Sequence, residues 1–133
     1  MLSLFFFRSP GFGLSLVAES TTGALTTAEC FAKAGETPED LGRKAAKMLL
    51  AEIQKGGCAD TLSHSLNLLL MTLCPPDVCK IRLGKLTPGT VQFMRDLKVM
   101  FGQVFRIDTD QDSKTIIVTG TGTGYTNLNK NTT

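Results

Sequence analysis

Histidine is nearly absent from this chain of 133 residues: His64 is the sole imidazole, so any histidine-based nucleophile, acid or base has to use it. Strong charge is lacking too. A formal net charge of +2 permits contact with nucleic acid but excludes binding by bulk electrostatics, so any RNA contact has to be local. No apolar run approaches the roughly 18 residues of a membrane span. The opening MLSLFFFR is apolar but short, with neither a basic start nor a small-residue cleavage site, so it does not read as a signal peptide. Aromatics are few and do not interleave with the basic residues, which argues against a base-stacking platform.

The residues present suit a packed domain. With 42% hydrophobic and 20% charged residues and no low-complexity tract, the chain reads as globular and soluble rather than as a disordered tail. Cys30, Cys58, Cys74 and Cys79 carry no secretory context, so reduced thiols in an intracellular protein are expected. Cys58, His64, Cys74 and Cys79 together supply zinc-donor types. Their spacing fits no compact zinc knuckle, and no metal is assigned.

Phe12 to Ala18 alternates as a strand, and Glu19 to Gly35 continues as another after a loop around Gly23. Thr37-Pro38-Glu39-Asp40 combines a capping hydroxyl, a proline fit for the first helical position and two acids at the positive end of the dipole. The helix is expected to run to Lys55 and stop at Gly56-Gly57. A second helix, Thr61 to Leu73, is expected with Asp60 as its cap and Pro75-Pro76 beyond its end. Val78 to Leu83 reads as a strand with Cys79, Ile81 and Leu83 on one face and Lys80 and Arg82 on the other. Thr87-Pro88 repeats the helix start, with Val91, Met94, Leu97 and Phe101 as the apolar stripe up to Gly102. Val104 to Ile107 and Thr115 to Thr119 make a hairpin. The fold class expected is α+β, with helices packed on one face of a mixed sheet.

The candidate chemistry is thin. His64 lies within the second helix, with Asp60 four residues away as its nearest sequence partner. Asp108, Asp110 and Asp112 open like a calcium loop, but Ser113 stands where the glycine is required and Thr119 where the bidentate glutamate is required, so a solvated hairpin turn is expected. Gly120, Gly122 and Gly124 lack the spacing and the following helix of a phosphate cradle. Lys80, Arg82 and Lys85 form the best local basic patch, with Arg95 and Lys98 as possible neighbours, and are the candidate RNA contacts.

Four segments carry a resemblance: Gly84 to Thr90 (GKLTPGT), Ser9 to Thr22 (SPGFGLSLVAESTT), Gly56 to Asp60 (GGCAD) and the Thr119 to Leu128 run. They resemble the RNA 3'-terminal phosphate cyclase family, most closely its cyclase-like branch. In the cyclases the position matching Gly89 is the histidine that accepts AMP from ATP, and an Asp-Gln dipeptide stands where this chain has Ser65-Leu66. A glycine offers no nucleophile. The resemblance therefore implies a noncatalytic protein without cofactor, not an ATP-dependent cyclase. It implies an assembly factor of small (40S) ribosomal subunit biogenesis, acting in early pre-rRNA processing toward 18S rRNA. The setting would be the nucleus and nucleolus, with a nucleolar ribosome-assembly GTPase, small-subunit pre-rRNA and the snoRNP processome as partners and no membrane. The alternatives are an RNA-processing enzyme, either a 3'-phosphate cyclase or a pre-rRNA endonuclease, and a nonfunctional truncated isoform. The resemblance spans about Ser9 to Lys130 and matches the last third of a family member. On that basis residues 1–8 are a divergent leader, 9–57 part of the family's inserted domain, 58–126 the end of the last cyclase-fold repeat, and 127–133 a tail.

Overall fold

In the computed structural model the described residues are 2–6, as backbone, and 11–126. The order is β1 (Leu2–Phe6), β2 (Phe12–Glu19), β3 (Leu25–Phe31), α1 (Pro38–Lys55), α2 (His64–Leu73), β4 (Val78–Leu83), α3 (Pro88–Phe101), β5 (Arg106–Asp110) and β6 (Thr115–Thr121). The fold is α+β. Its strands are divided between two antiparallel sheets, β1-β2-β3 and β4-β6-β5, where one mixed sheet was expected. Most of the leader is itself a strand: Leu2–Phe6 pairs with β2, Leu4 opposite Leu14. The tail at 127–133 and the end of the Thr119 to Leu128 run lie outside the described residues. Among the described residues no helix is long and apolar enough to cross a membrane.

Both Thr-Pro helix starts form as their chemistry requires. Thr37 caps α1 by accepting the Asp40 N–H at 3.3 Å, and Thr87 caps α3 by accepting that of Thr90 at 3.1 Å, each followed by proline. In α1, Leu41 and Ala45 pack with Cys30 against Phe12, Leu14 and Leu16 of β2. The alternation of β2 therefore places its apolar side under the helix. The second core joins Leu68 and Met71 of α2, Met94 and Leu97 of α3, Leu83 of β4 and Val118 of β6, all nearly inaccessible.

The second helix begins later than expected. Asp60 does not cap it. Its carboxylate is drawn to the Thr27 N–H and hydroxyl and to the Ser63 N–H, while Thr61 is held by Glu52. Residues 60–63 therefore form a turn, and α2 starts at His64 behind Ser63, whose side chain makes no cap bond. The hairpin strands are likewise shifted, with β5 at Arg106–Asp110 and β6 running on to Thr121.

Candidate functional site

Gly89 occupies the second turn position of α3, behind Thr87 and Pro88. A Cβ built there would meet only the Thr87 hydroxyl, at 3.7 Å. Space for a larger residue exists, so nothing steric demands glycine. Ser65 and Leu66 lie on the first turn of α2. Leu66, more than half exposed, borders a hollow of about 520 Å³ between that turn and the β2–β3 loop at Thr22 to Leu25, which Gly89 does not line. Gly89 carries no side chain, and Ser65 offers a single hydroxyl.

Lys80 and Arg82 do project from the face of β4 opposite the helices, as their alternation with the core residues Cys79, Ile81 and Leu83 requires. Arg82 is already committed. Its guanidinium reaches Asp110 at 2.6 Å and the hydroxyls of Ser113 and Thr115 at 2.9 Å, holding the β5–β6 hairpin against β4. The Arg82 guanidinium and Ser113 bring the Asp110 carboxyl down to about 2. Lys85 sits past the end of β4, beside Thr109 and Lys114 at the hairpin tip. Arg95 and Lys98 border a separate groove between α3 and Val104 to Ile107, so they do not extend the patch. The Asp108–Asp112 run is turn chemistry: Asp108 pairs with Arg106, and Asp110 also accepts the N–H groups of Asp112 and Ser113. Gly122 is required by crowding, since a Cβ there would lie 2.2 Å from the Pro75 carbonyl oxygen.

The polar chemistry that the sequence reading missed is a seam joining the first sheet and α1 to α2. Glu52 of α1 accepts the Thr61 N–H at 3.0 Å and its hydroxyl at 2.7 Å, and also pairs with Lys55. Asp60, 3% exposed, accepts the Thr27 N–H at 3.0 Å, the Thr27 hydroxyl at 2.7 Å and the Ser63 N–H at 2.8 Å. Burial pushes both carboxyls up, but the bonds from Lys55 and Thr61 to Glu52, and from Thr27 and Ser63 to Asp60, outweigh it and leave both below their ordinary values. The signal was present in GGCAD: an acid in a glycine turn has backbone donors to satisfy.

His64 lies within this seam, 1% exposed, with no hydrogen-bond partner for Nδ1. Burial lowers its affinity for a proton, and Lys55 adds to this. The Ala59 backbone, Glu52 and Asp60 oppose it without prevailing. A buried neutral imidazole is a poor site for acid–base exchange with a substrate. Its consequence is for stability: the unfolded chain binds the proton more readily, so folding free energy falls as pH drops below 6.5. The urea midpoint is expected to be lower at about pH 5.5 than at about pH 7.5 in the native chain, and that difference to shrink in His64→Gln.

Among the described residues no group of three or more His, Cys, Asp or Glu is arranged to hold a metal ion. Residues 7–54 match the model of the insert domain of RNA 3'-terminal phosphate cyclase. The chain is 48% identical over 139 residues to a probable RNA 3'-terminal phosphate cyclase-like protein of Dictyostelium discoideum, covering 93% of this chain and 38% of that protein. To the human RNA 3'-terminal phosphate cyclase-like protein it is 46% identical, covering 92% of this chain and 36% of the human one. It is 40% identical to the rRNA processing protein rcl1 of Schizosaccharomyces pombe, over 92% of this chain and 34% of that relative. The chain thus spans little more than a third of the length of these curated relatives. Over that span, with a matching insert domain and 46–48% identity to cyclase-like proteins, it belongs to the RNA 3'-terminal phosphate cyclase family.

Proposed function

We propose that this chain acts without catalysis in rRNA processing, as an assembly factor for the small (40S) ribosomal subunit. Within the snoRNP processome it serves early processing toward 18S rRNA, in the nucleus and nucleolus, alongside a ribosome-assembly GTPase. The observation that carries this reading is Gly89: the N-terminal turn of α3 is intact, its cap and proline are in place, and the position where the cyclases hold their nucleophile has no side chain. Support for rRNA processing comes from the relative of that printed name at 40% identity. On this reading residues 9–57 belong to the inserted domain and 58–126 to the last cyclase-fold repeat.

Lys80 and Lys85 are the proposed phosphate contacts. Arg82 contributes by fixing the strand and hairpin that present them, and its pairing with Asp110 leaves less of its charge for RNA. The test is affinity capture of the tagged chain from nuclear extract at moderate salt, with identification of bound protein and RNA. Recovery of an assembly GTPase with small-subunit pre-rRNA is expected, with RNA recovery reduced in Lys80→Ala/Lys85→Ala. Recovery of chaperones alone would overturn the assembly role. ATP-dependent loss of an RNA 3'-phosphate would restore the enzymatic alternative.

A further inference from the structure

Cys74 and Cys79 are brought together by the exit of β6. Cys74 closes the C-terminus of α2, its N–H bonded to the Leu70 carbonyl at 3.0 Å. Cys79 faces the same side of its sheet as Ile81 and packs against the core to which α2 contributes Leu68 and Met71. Both are half-buried and unbridged. In β6, Gly120 stands directly opposite Cys79, and just past the end of the strand Gly122 packs against the Cys74 backbone. A Cβ on Gly122 would sit 2.3 Å from the Cys74 carbonyl oxygen.

The intervening loop is closed by its own bonds. The Asp77 N–H reaches the Pro75 carbonyl at 2.6 Å, the Gly122 N–H that of Asp77 at 3.1 Å, and the Gly124 N–H that of Cys74 at 3.0 Å. Two prolines within the loop restrict it further. The two cysteines are therefore held across a short, pre-closed turn, with their side chains interacting. Burial pushes the Cys79 thiol up, and the neighbouring Cys74 side chain and Asp77 push it further.

We propose that Cys74 and Cys79 form a redox-active dithiol site that takes a small-molecule disulfide as its substrate and closes into an intramolecular bridge. The Cys74 thiolate attacks one sulfur of the disulfide, releasing one small thiol and forming a mixed disulfide. The Cys79 thiolate then attacks the Cys74 sulfur and releases the second small thiol. The two protein thiols are oxidised, the small disulfide is reduced to two thiols, and the two protons leave with them.

The other two thiols are internal controls: Cys30 is buried with its Sγ toward the Leu41 carbonyl, and Cys58 is exposed with its Sγ on the Arg82 carbonyl. The folded 133-residue chain is treated with oxidised glutathione, alkylated and mapped by mass spectrometry. A Cys74–Cys79 bridge, short of two hydrogens, is expected in the native chain and equally in Cys58→Ser. In Cys79→Ser, Cys74 is expected to persist as the glutathione mixed disulfide, because nothing resolves it. A parallel measurement on the unmutated chain titrates phenylarsine oxide, which bridges paired thiols, and should protect both cysteines from alkylation together. Recovery of Cys74 and Cys79 as free thiols while Cys58 carries the adduct, separate glutathione adducts on each of the pair, or bridging seen only in urea would each overturn the proposal.

Discussion

Replacement of Gly57 by alanine is expected to destabilise the chain by on the order of 3 kcal/mol or more, lowering Tm on the order of 10 °C. Two effects act together. Gly57 has φ +94°, a conformation that an L side chain rarely adopts, and its Cβ would lie 2.6 Å from the Gly84 nitrogen and 2.8 Å from the Leu83 carbonyl carbon. Backbone atoms on both sides cannot yield as a flexible side chain would. The site is a crossing of two chain segments: the exit of α1 passes over the exit of β4, where a Cβ on Gly84 would in turn meet the Gly56 carbonyl oxygen at 2.8 Å. The Cys58 N–H to Arg82 carbonyl bond at 2.9 Å fastens the crossing. Gly42, within α1 and with nothing within 4 Å of its Cβ position, is the control. Gly42→Ala is expected to stabilise by about 0.5–1 kcal/mol through helix propensity. Thermal denaturation of the two variants should therefore move in opposite directions, and a neutral Gly57→Ala would refute the close crossing.

Asp60→Ala is the second large effect, expected to lose on the order of 3 kcal/mol. Three donors converge on a carboxylate that is almost wholly inaccessible, and truncation leaves the Thr27 N–H and hydroxyl without their acceptor. Asp60→Asn keeps an acceptor oxygen and should lose less. The pH dependence separates the bonded carboxylate from simple packing. Because the folded-state value is lowered from 3.8, the stabilisation is present above pH 3.8 and is lost as pH falls through the lower folded value. Urea midpoints measured across the acid range should fall less steeply in Asp60→Ala than in the native chain. An unchanged acid limb would show that the Thr27 and Ser63 bonds do not stabilise the ionised form. The acid limb of the native chain also includes Glu52 and Asp110, so it flattens rather than disappears.

Elements with local causes were legible in the sequence. A threonine cap followed by proline places α1 and α3 to the residue, because cap and fixed φ, joined in α1 by two first-turn acids, act within four positions. The alternation of Val78 to Leu83 likewise assigns its two faces, since a strand has period two wherever it sits. Asp60 shows where local reasoning stops. Four residues of sequence make it an N-cap, yet Thr27, 33 positions away, takes its carboxylate and moves the start of α2. Arg82 repeats the lesson. In sequence it is one cation of a phosphate-binding patch, whereas in space Asp110, 28 residues on, holds it as a strut.

The candidate site divides in the same way. At Gly89 the lack of a side chain is as plain in the sequence as in the fold. That room for a larger residue exists there, only the packing around Thr87 shows. The sequence by itself determined the α+β class, two of three helix starts, the lack of histidine chemistry beyond His64 and the family resemblance, because each depends on residue type and short-range spacing. Tertiary structure alone decided the division into two antiparallel sheets, the burial of His64 beside Glu52 and Asp60, the glycine crossing and the meeting of Cys74 with Cys79. Each of those is a contact between groups that no periodicity relates, fixed only when hydrophobic burial closes the chain and leaves the buried polar groups to find their partners.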